Sequence, residues 1–142
     1  MKKTKPQHAD FDQILKFLAG AEKKLGAAKK ILALDEEAAY QLAYEAMLKG
    51  SLGYMLSFGV RPRSLPGHHI TIIDFAEKQL GKEFKSLMAM FNRMRRKRHD
   101  TIYDVNAFIS KQEAEQALET AAKYLAIIRG EIQKKNPQKG LL

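Results

Sequence analysis

The segment from Asn92 to Asp104 carries the side chains best suited to chemistry in this sequence. Five cationic side chains stand within six residues: Arg93, Arg95, Arg96, Lys97 and Arg98. His99 follows directly, and Tyr103 stands four positions after it. Guanidinium groups bind phosphate through paired hydrogen bonds, and histidine exchanges a proton near neutral pH. The segment therefore predicts a site that binds a phosphate-bearing ligand and has a group able to help cleave it.

A helical wheel places part of this segment on the apolar face of a predicted helix. At roughly 100° per residue, seven side chains fall within about 60° of Phe84: Leu87, Met88, Phe91, Arg95, Arg98, His99 and Ile102. Others point away: Arg93, Arg96 and Lys97, with Tyr103 at the flank. A core-facing arginine costs free energy unless an anion or a partner surface meets it. A purely structural role stays open too, in which the arginines favour the helix C-terminus and pair with acids of the last helix.

Two adjacent histidines, His68 and His69, stand near the start of another predicted helix. Successive helical side chains diverge by about 100°, so this pair would not chelate one metal ion, and no carboxylate–histidine spacing predicts a zinc site. We therefore predict no metal and no cofactor. The two histidines either cap and pack their helix or, together with Arg61, border the phosphate site.

The positive charge of the chain is local. The 142 residues carry a formal net charge of +9, from 25 basic and 16 acidic side chains. Six terminal lysines add to the central cluster: Lys2, Lys3, Lys5, Lys134, Lys135 and Lys139. Without these eleven cations, the remaining fourteen basic residues face sixteen acidic ones. A local patch of this kind draws a polyanion to one surface with salt-sensitive affinity, whereas the terminal lysines are typical of soluble chain ends.

Composition narrows the class of protein. There is no cysteine, so disulfides, thiol nucleophiles and thiolate metal sites are excluded. No apolar run approaches the roughly 18 residues of a membrane span, and the lysine-rich start leads into no signal-peptide core. We predict a cytoplasmic protein without membrane contact. Residues 1–142 are expected to form a single domain with flexible ends at about 1–8 and 136–142.

Helical periodicity is the only periodicity that the sequence shows. Five helices are predicted: from Asp10 as N-cap to Leu32, from Asp35 to Gly59, from His68 or His69 to Leu80, from Lys82 into the arginine cluster, and from the capping box Ser110–Glu113 to Ile132. The one long loop, 59–67, contains two prolines and two glycines. Short connections favour an all-α, antiparallel up-and-down bundle of four long helices plus a short third one, without any sheet.

Three pieces of the chain resemble the HEPN domains (higher eukaryotes and prokaryotes nucleotide-binding), which are small all-helical proteins. Residues 39–46, AYQLAYEA, are similar to the second helix of the family. Residues 59–63, GVRPR, followed by Gly67-His68-His69, are similar to its loop into the third helix. Residues 95–104, RRKRHDTIYD, are similar to its signature helix. The resemblance covers about residues 9 to 132.

The resemblance implies a catalytic motif, and two registers fit it. Many HEPN members are metal-independent ribonucleases with an arginine, four to six residues, then a histidine. Arg93 with His99 has that spacing, but apolar Met94 follows the arginine. Arg98 continues the core face and is followed by a polar residue, but Tyr103 stands where the histidine is expected. We prefer the second register, which implies Arg98, His99 and Tyr103 as catalytic residues. The phosphate-binding residues would be Arg93, Arg95, Arg96 and Arg98.

The resemblance implies partners as well as a function. The first prediction is a homodimer that binds RNA or a nucleotide through the basic helix, in a toxin–antitoxin-like pair with a minimal nucleotidyltransferase. The alternative is an active metal-independent endoribonuclease toxin that uses Arg98 and His99, or Arg93 and His99. A second alternative is a helical scaffold with no nucleic-acid role. The resemblance also implies that a partner nucleotidyltransferase could adenylylate Tyr103.

Overall fold

The computed structural model describes residues 3–64 and 66–135 of the chain. Five α-helices make up most of this part and are numbered in chain order: α1 Phe11–Ile31, α2 Glu36–Leu56, α3 His68–Leu80, α4 Lys85–Tyr103 and α5 Lys111–Gln133. The all-α prediction is confirmed. None of the helices in the described ranges is both long enough and apolar enough to cross a membrane.

Side-chain caps fix where the long helices begin. The Asp10 carboxylate accepts a hydrogen bond from the Gln13 backbone N–H at 2.8 Å, and the Gln13 side chain accepts one from the Asp10 N–H at 3.0 Å. Ser110 and Glu113 form the same reciprocal pair before α5, at 3.0 and 3.1 Å. Asp35 caps α2 through the Ala38 N–H at 3.0 Å. These contacts confirm the capping box predicted at Ser110 and the N-cap predicted at Asp10.

The fourth helix begins later than the sequence predicts. Gly81 has a φ of 90°, a left-handed conformation that ends α3 and suits glycine. The segment Lys82–Phe84 then forms a 3₁₀ turn, and α4 begins at Lys85 rather than at Lys82. Tight turns of this kind are common at helix ends, which is why periodicity alone does not separate them from the helix.

The structure adds a two-stranded ribbon, so the prediction that there is no sheet at all is wrong in this detail. Strand β1, Thr4–Pro6, pairs antiparallel with β2, Val60–Pro62, and Lys5 lies opposite Arg61. Strands of three residues are too short to show alternation in a sequence. Part of the N-terminal segment predicted to be flexible is therefore paired with the loop before α3, whereas residues 1–2 and 136–142 lie outside the described residues.

Helix α2 is the centre of the bundle. It packs against α1, α3, α4 and α5, and residues around most of its circumference are buried. Small residues allow this close packing: a methyl group added at Gly50 would lie 2.5 Å from Leu125 Cδ2 of α5. An edge-to-face aromatic row crosses the core from Tyr44 of α2 through Phe91 of α4 to Tyr124 of α5, with ring centroids 5.8 and 5.1 Å apart. This row fixes the part of α4 that precedes the arginine cluster.

Candidate functional site

The cationic segment of α4 divides among three surroundings, because the helix turns by about 100° per residue. Arg95 and Arg98 lie on its inner side and are partly buried. His99 and Tyr103 are exposed to solvent. Arg93 and Lys97 lie against α5. The wheel prediction is therefore confirmed for Arg95 and Arg98, but it is wrong for His99 and for Ile102, which is 50% exposed.

Arg98 occupies an unusual position for a cation. Its guanidinium carbon lies 5.8 Å from the centroid of the buried Tyr44 ring, a distance at which a cation is attracted to the face of an aromatic ring. Its Nε is buried and has no hydrogen-bond partner among the described residues. A buried N–H without an acceptor costs free energy, and more so on a charged group. One turn earlier, the Nε of Arg95 donates to Asn92 Oδ1 at 2.9 Å.

His69, at the start of α3, reaches the same place from another helix. Its Nδ1 and the Tyr44 hydroxyl are 3.1 Å apart, a hydrogen bond in which the histidine tautomer decides which atom donates. The two rings are tilted by 46°, with centroids 5.8 Å apart. The exposed His68 ring meets His69 edge to face at 4.7 Å. Tyr44 therefore holds His69 in one orientation beside the arginines.

Burial and positive charge keep this group of residues in defined protonation states. Burial lowers the pKa of His69, and the neighbouring His68, Arg98 and Arg95 lower it further. Burial also raises the pKa of Tyr44 well above its usual range, against the opposing effect of Arg98 and Arg95. At neutral pH the site then holds a neutral imidazole, a protonated phenol and two guanidinium groups. A neutral imidazole can accept or donate a proton, and guanidinium groups can hold a phosphate.

The outward face of α4 presents a different pair. The rings of His99 and Tyr103 lie 4.6 Å apart and are tilted by 40°. Tyr103 is 75% exposed. Both residues are open to solvent, so a ligand or a second molecule can reach them directly.

The third face of α4 borders a small hollow between α4 and α5. The Lys97 ammonium forms an ion pair with Glu113 at 3.5 Å. Arg93 lines the same hollow, which has a volume of about 100 Å³ and is also bordered by Tyr40. Burial and the Glu113 charge raise the pKa of Tyr40 to about 12, although Arg93 opposes them. Of the five cations in the cluster, Lys97 alone is ion-paired within the described part of the chain, so the structural role in which the arginines pair with α5 is not what this region shows.

The remaining predicted site residues lie on the exposed surface of α4 or line a separate cavity. Arg96 is exposed on α4. Arg61, in β2, lines one open cavity together with His68 and His69. Within residues 3–64 and 66–135, no three histidine, aspartate or glutamate side chains come together as metal ligands would, and the absence of a metal stays a prediction.

Within one chain, the structure does not gather the residues of either predicted register, which are Arg93 with His99, or Arg98 with His99 and Tyr103. Arg93 lies toward α5 and His99 toward solvent, while Arg98 lies toward Tyr44. The histidine that shares Tyr44 with Arg98 is His69, which the sequence placed only at the border of the site. Tyr44 is buried in the core, and its hydroxyl also orients His69. A tyrosine at a buried position next to a predicted cationic face is the signal that could have indicated this role.

Comparison with known families gives one match. A family model described as HEPN domain matches residues 6–131, which is nearly the whole chain. No curated protein and no solved structure matches. The matched range contains all five helices up to the last turn of α5, and with them Tyr44, His69 and the arginine cluster.

Proposed function

The chain belongs to the HEPN domain family, and from that premise we propose that it binds RNA or a nucleotide through phosphate groups held by Arg95, Arg98 and His69. The observation that carries this proposal is the buried Nε of Arg98, which has no acceptor among the described residues. The side chain as a whole is only partly buried, so its terminal nitrogens remain within reach of a ligand. A phosphate oxygen is the acceptor that a guanidinium group binds best, through two parallel hydrogen bonds.

The test compares two arginines of the same helix. Arg98→Ala removes the half-buried guanidinium, and Arg96→Ala removes an exposed one, with the same change in net charge. We expect Arg98→Ala to weaken binding of a short single-stranded RNA by about tenfold, a loss typical of one charged hydrogen bond, and Arg96→Ala to have a smaller effect. Equal effects would reduce the role of Arg98 to general electrostatic attraction.

The salt dependence identifies which cations contact phosphate. Each phosphate contact contributes to the slope of log affinity against log salt concentration. The double variant Arg95→Ala/Arg98→Ala should flatten that slope. If this variant retains the full slope, the cations that matter are elsewhere, and the terminal lysines are the next group to neutralise.

Metal-independent RNA cleavage is the second candidate function. The observation that favours it is the histidine of lowered pKa, His69, beside two arginines, because such a group can move the proton of a ribose 2′-hydroxyl while arginines stabilise the phosphate. The product would carry a 2′,3′-cyclic phosphate. His99 is the base that the family motif implies, and it lies on the outward face of α4.

Separate histidine variants decide between these two bases. RNA cleavage would be measured in the presence of a chelator for the wild type, His69→Ala and His99→Ala. A loss of two to four orders of magnitude in one variant alone assigns proton transfer to that histidine. Equal activity in all three proteins would mean that neither histidine acts, and the absence of cleavage in the wild type on several RNAs would leave binding as the function.

The finer aspects of function rest on family membership. We propose that the protein acts in the cytoplasm as a homodimer and is paired with a minimal nucleotidyltransferase as its antitoxin. Tyr103 supports the second point, because its exposed hydroxyl beside His99 is open to adenylylation, and the added phosphate would compete for the arginines. Incubation with the nucleotidyltransferase encoded by a neighbouring gene and ATP should add one nucleoside monophosphate, as mass spectrometry would detect. Tyr103→Phe should abolish that addition.

A further inference from the structure

An open cavity of about 760 Å³ lies beside the site described above. It is enclosed by the segment before α1, by α1 and α2, by the ribbon strand β2 and by the first turn of α3. Its size falls within the range of pockets that hold small organic ligands, which is roughly 300 to 1,000 Å³. His69 lines this cavity and also contacts Tyr44, so the cavity and the arginine cluster meet at one side chain.

The rim of the cavity is cationic. Three of the side chains that line it are cationic, Lys16, Lys49 and Arg61, and three more are histidines: His8, His68 and His69. None of the described residues that line it is an aspartate or a glutamate. The chain has sixteen acidic side chains, so this exclusion of acids from one surface is a local property of the cavity. A concave surface with one sign of charge concentrates ligands of the opposite sign.

The floor of the cavity is apolar. Five hydrophobic side chains form it: Phe17, Leu48, Leu52, Leu56 and Ile72. An anion as small as phosphate would use the rim and leave this floor unoccupied. A ligand that fills both parts needs an anionic end and a flat or apolar body.

Gly20, in the middle of α1, leaves space for the side chain of Lys49 at the rim of the cavity. A methyl group at Gly20 would lie 2.7 Å from Lys49 Cε and 2.9 Å from its Nζ. Glycine within a helix is less favourable than alanine, because it loses more conformational entropy. Here it leaves the room in which the end of the Lys49 side chain lies across α1. The end of the Lys49 side chain therefore lies against the neighbouring helix at the edge of the cavity.

We propose that this cavity binds a phosphate ester with an apolar or aromatic body of mononucleotide size, with the phosphate at Lys16 and Lys49 and the body on the apolar floor. The charge of the rim fits the phosphate, and the floor fits the body. This inference goes beyond the proposed function, because the cavity does not use the arginines of α4. The ligand is either a free nucleotide or one nucleotide unit of an RNA strand, since both offer the same chemistry.

The experiment is calorimetric titration of the full chain with AMP, with adenosine and with inorganic phosphate. AMP should bind at least about tenfold more tightly than either of the other two, because only AMP contacts both rim and floor. Lys16→Gln/Lys49→Gln should weaken AMP binding by about tenfold or more. The control Lys29→Gln/Lys30→Gln removes the same charge from exposed positions at the end of α1 and should leave the affinity within about twofold.

A second variant keeps the test independent of charge. Leu52→Trp enlarges a partly buried floor residue and should block AMP while leaving the rim intact, and its unfolding curve shows whether the fold is kept. AMP binding that Lys16→Gln/Lys49→Gln removes belongs to the cavity, whereas AMP binding that Arg98→Ala alone removes belongs to the site proposed above, which separates failure of this inference from failure of the proposed function. A short RNA that displaces AMP would identify the ligand as a unit of RNA, and lack of displacement would identify a free nucleotide.

No binding of AMP to the wild type, equal binding of adenosine, or equal loss in the lysine control would overturn the proposal.

Discussion

At the scale of single residues, the neighbours Arg98 and His99 show why a sequence motif does not define a site. The wheel centres the apolar face of α4 on Phe84. In the structure the buried face is rotated toward Met94, which is fully buried. This rotation keeps Arg98 inside, near Tyr44, and turns His99 toward Tyr103 and solvent. A wheel gives the angles between residues of one helix, but the packing of the other helices decides which angle faces inward.

The lowered pKa of His69 predicts how stability changes with pH. Because the folded-state pKa lies below the unfolded value of about 6.5, the unfolded chain binds more protons in the window just below pH 6.5. Stability should therefore be complete above that window and fall as the pH drops through it, by less than about 1.4 kcal/mol per pH unit. In His69→Gln this part of the fall should disappear. Urea unfolding at pH 7.5 and pH 5.5 measures it.

The control for this prediction is His8→Gln, at an exposed position of the chain. That variant should keep the same fall in stability as the wild type. The same fall in His69→Gln would contradict the prediction and assign the pH dependence to other groups.

A buried hydroxyl pair in the core gives a second prediction at this scale. The Ser51 hydroxyl donates to the Met47 carbonyl at 2.8 Å, so it accepts from the Tyr124 hydroxyl at 2.5 Å. Ser51→Ala should destabilise the protein by about 1–3 kcal/mol, because the buried Tyr124 hydroxyl loses its acceptor. Tyr124→Phe should cost less, about 0.5–1.5 kcal/mol, because Ser51 keeps its bond to Met47. Denaturant unfolding of both variants would test the order, and a larger loss for Tyr124→Phe would contradict it.

At the scale of helices, local sequence signals predicted correctly where two of the long helices begin. Asp10 and Ser110 each form the capping contacts that their types and spacing indicate. The turn at Lys82–Phe84 and the ribbon were missed, because a three-residue element leaves no period to detect. The site was predicted only in part. Tyr44 and His69 are 25 residues apart and meet through the packing of α2 on α3, which no local pattern encodes.

Two helical glycines should respond in opposite directions to the same substitution. A methyl group at Gly50 of α2 would lie 2.5 Å from the buried Leu125 Cδ2, whereas one at Gly26 of α1 would have nothing within 4 Å. Gly50→Ala should destabilise the protein by about 1–3 kcal/mol through overpacking. Gly26→Ala should stabilise it by about 0.5–1 kcal/mol, since alanine loses less entropy in a helix.

Thermal unfolding of the two glycine variants beside the wild type provides the measurement. Each variant serves as the control of the other, because both make the same chemical change within a helix. A stabilised Gly50→Ala protein would mean that α5 can move away from α2 without cost, and that their close contact is not a source of stability.

At the scale of the whole molecule, the features of the site and an apolar surface lie along one end of α4. Four exposed hydrophobic side chains form what we call the 102–108 patch: Ile102, Tyr103, Val105 and Phe108. Val105 is 96% exposed and Phe108 70%. Exposed apolar side chains that stand this close together in the chain favour an interaction surface. The patch begins three residues after His99, so whatever covers it also approaches the cationic helix.

The occupant that we predict is a second copy of the chain, because a two-fold axis through the patch would bury it against itself and bring two cationic helices to one cleft. Sedimentation of the wild type at tens of micromolar should then give a dimer, as for an interface of micromolar affinity. Val105→Asp and Phe108→Asp should each weaken association by about tenfold or more, because each places a charge in the buried centre. Leu34→Asp is the matched control: Leu34 is 85% exposed between α1 and α2, outside the patch, and the variant should stay dimeric. A strictly monomeric wild type, or association that survives both patch variants, would contradict the prediction and leave the phosphate site to be completed within one chain.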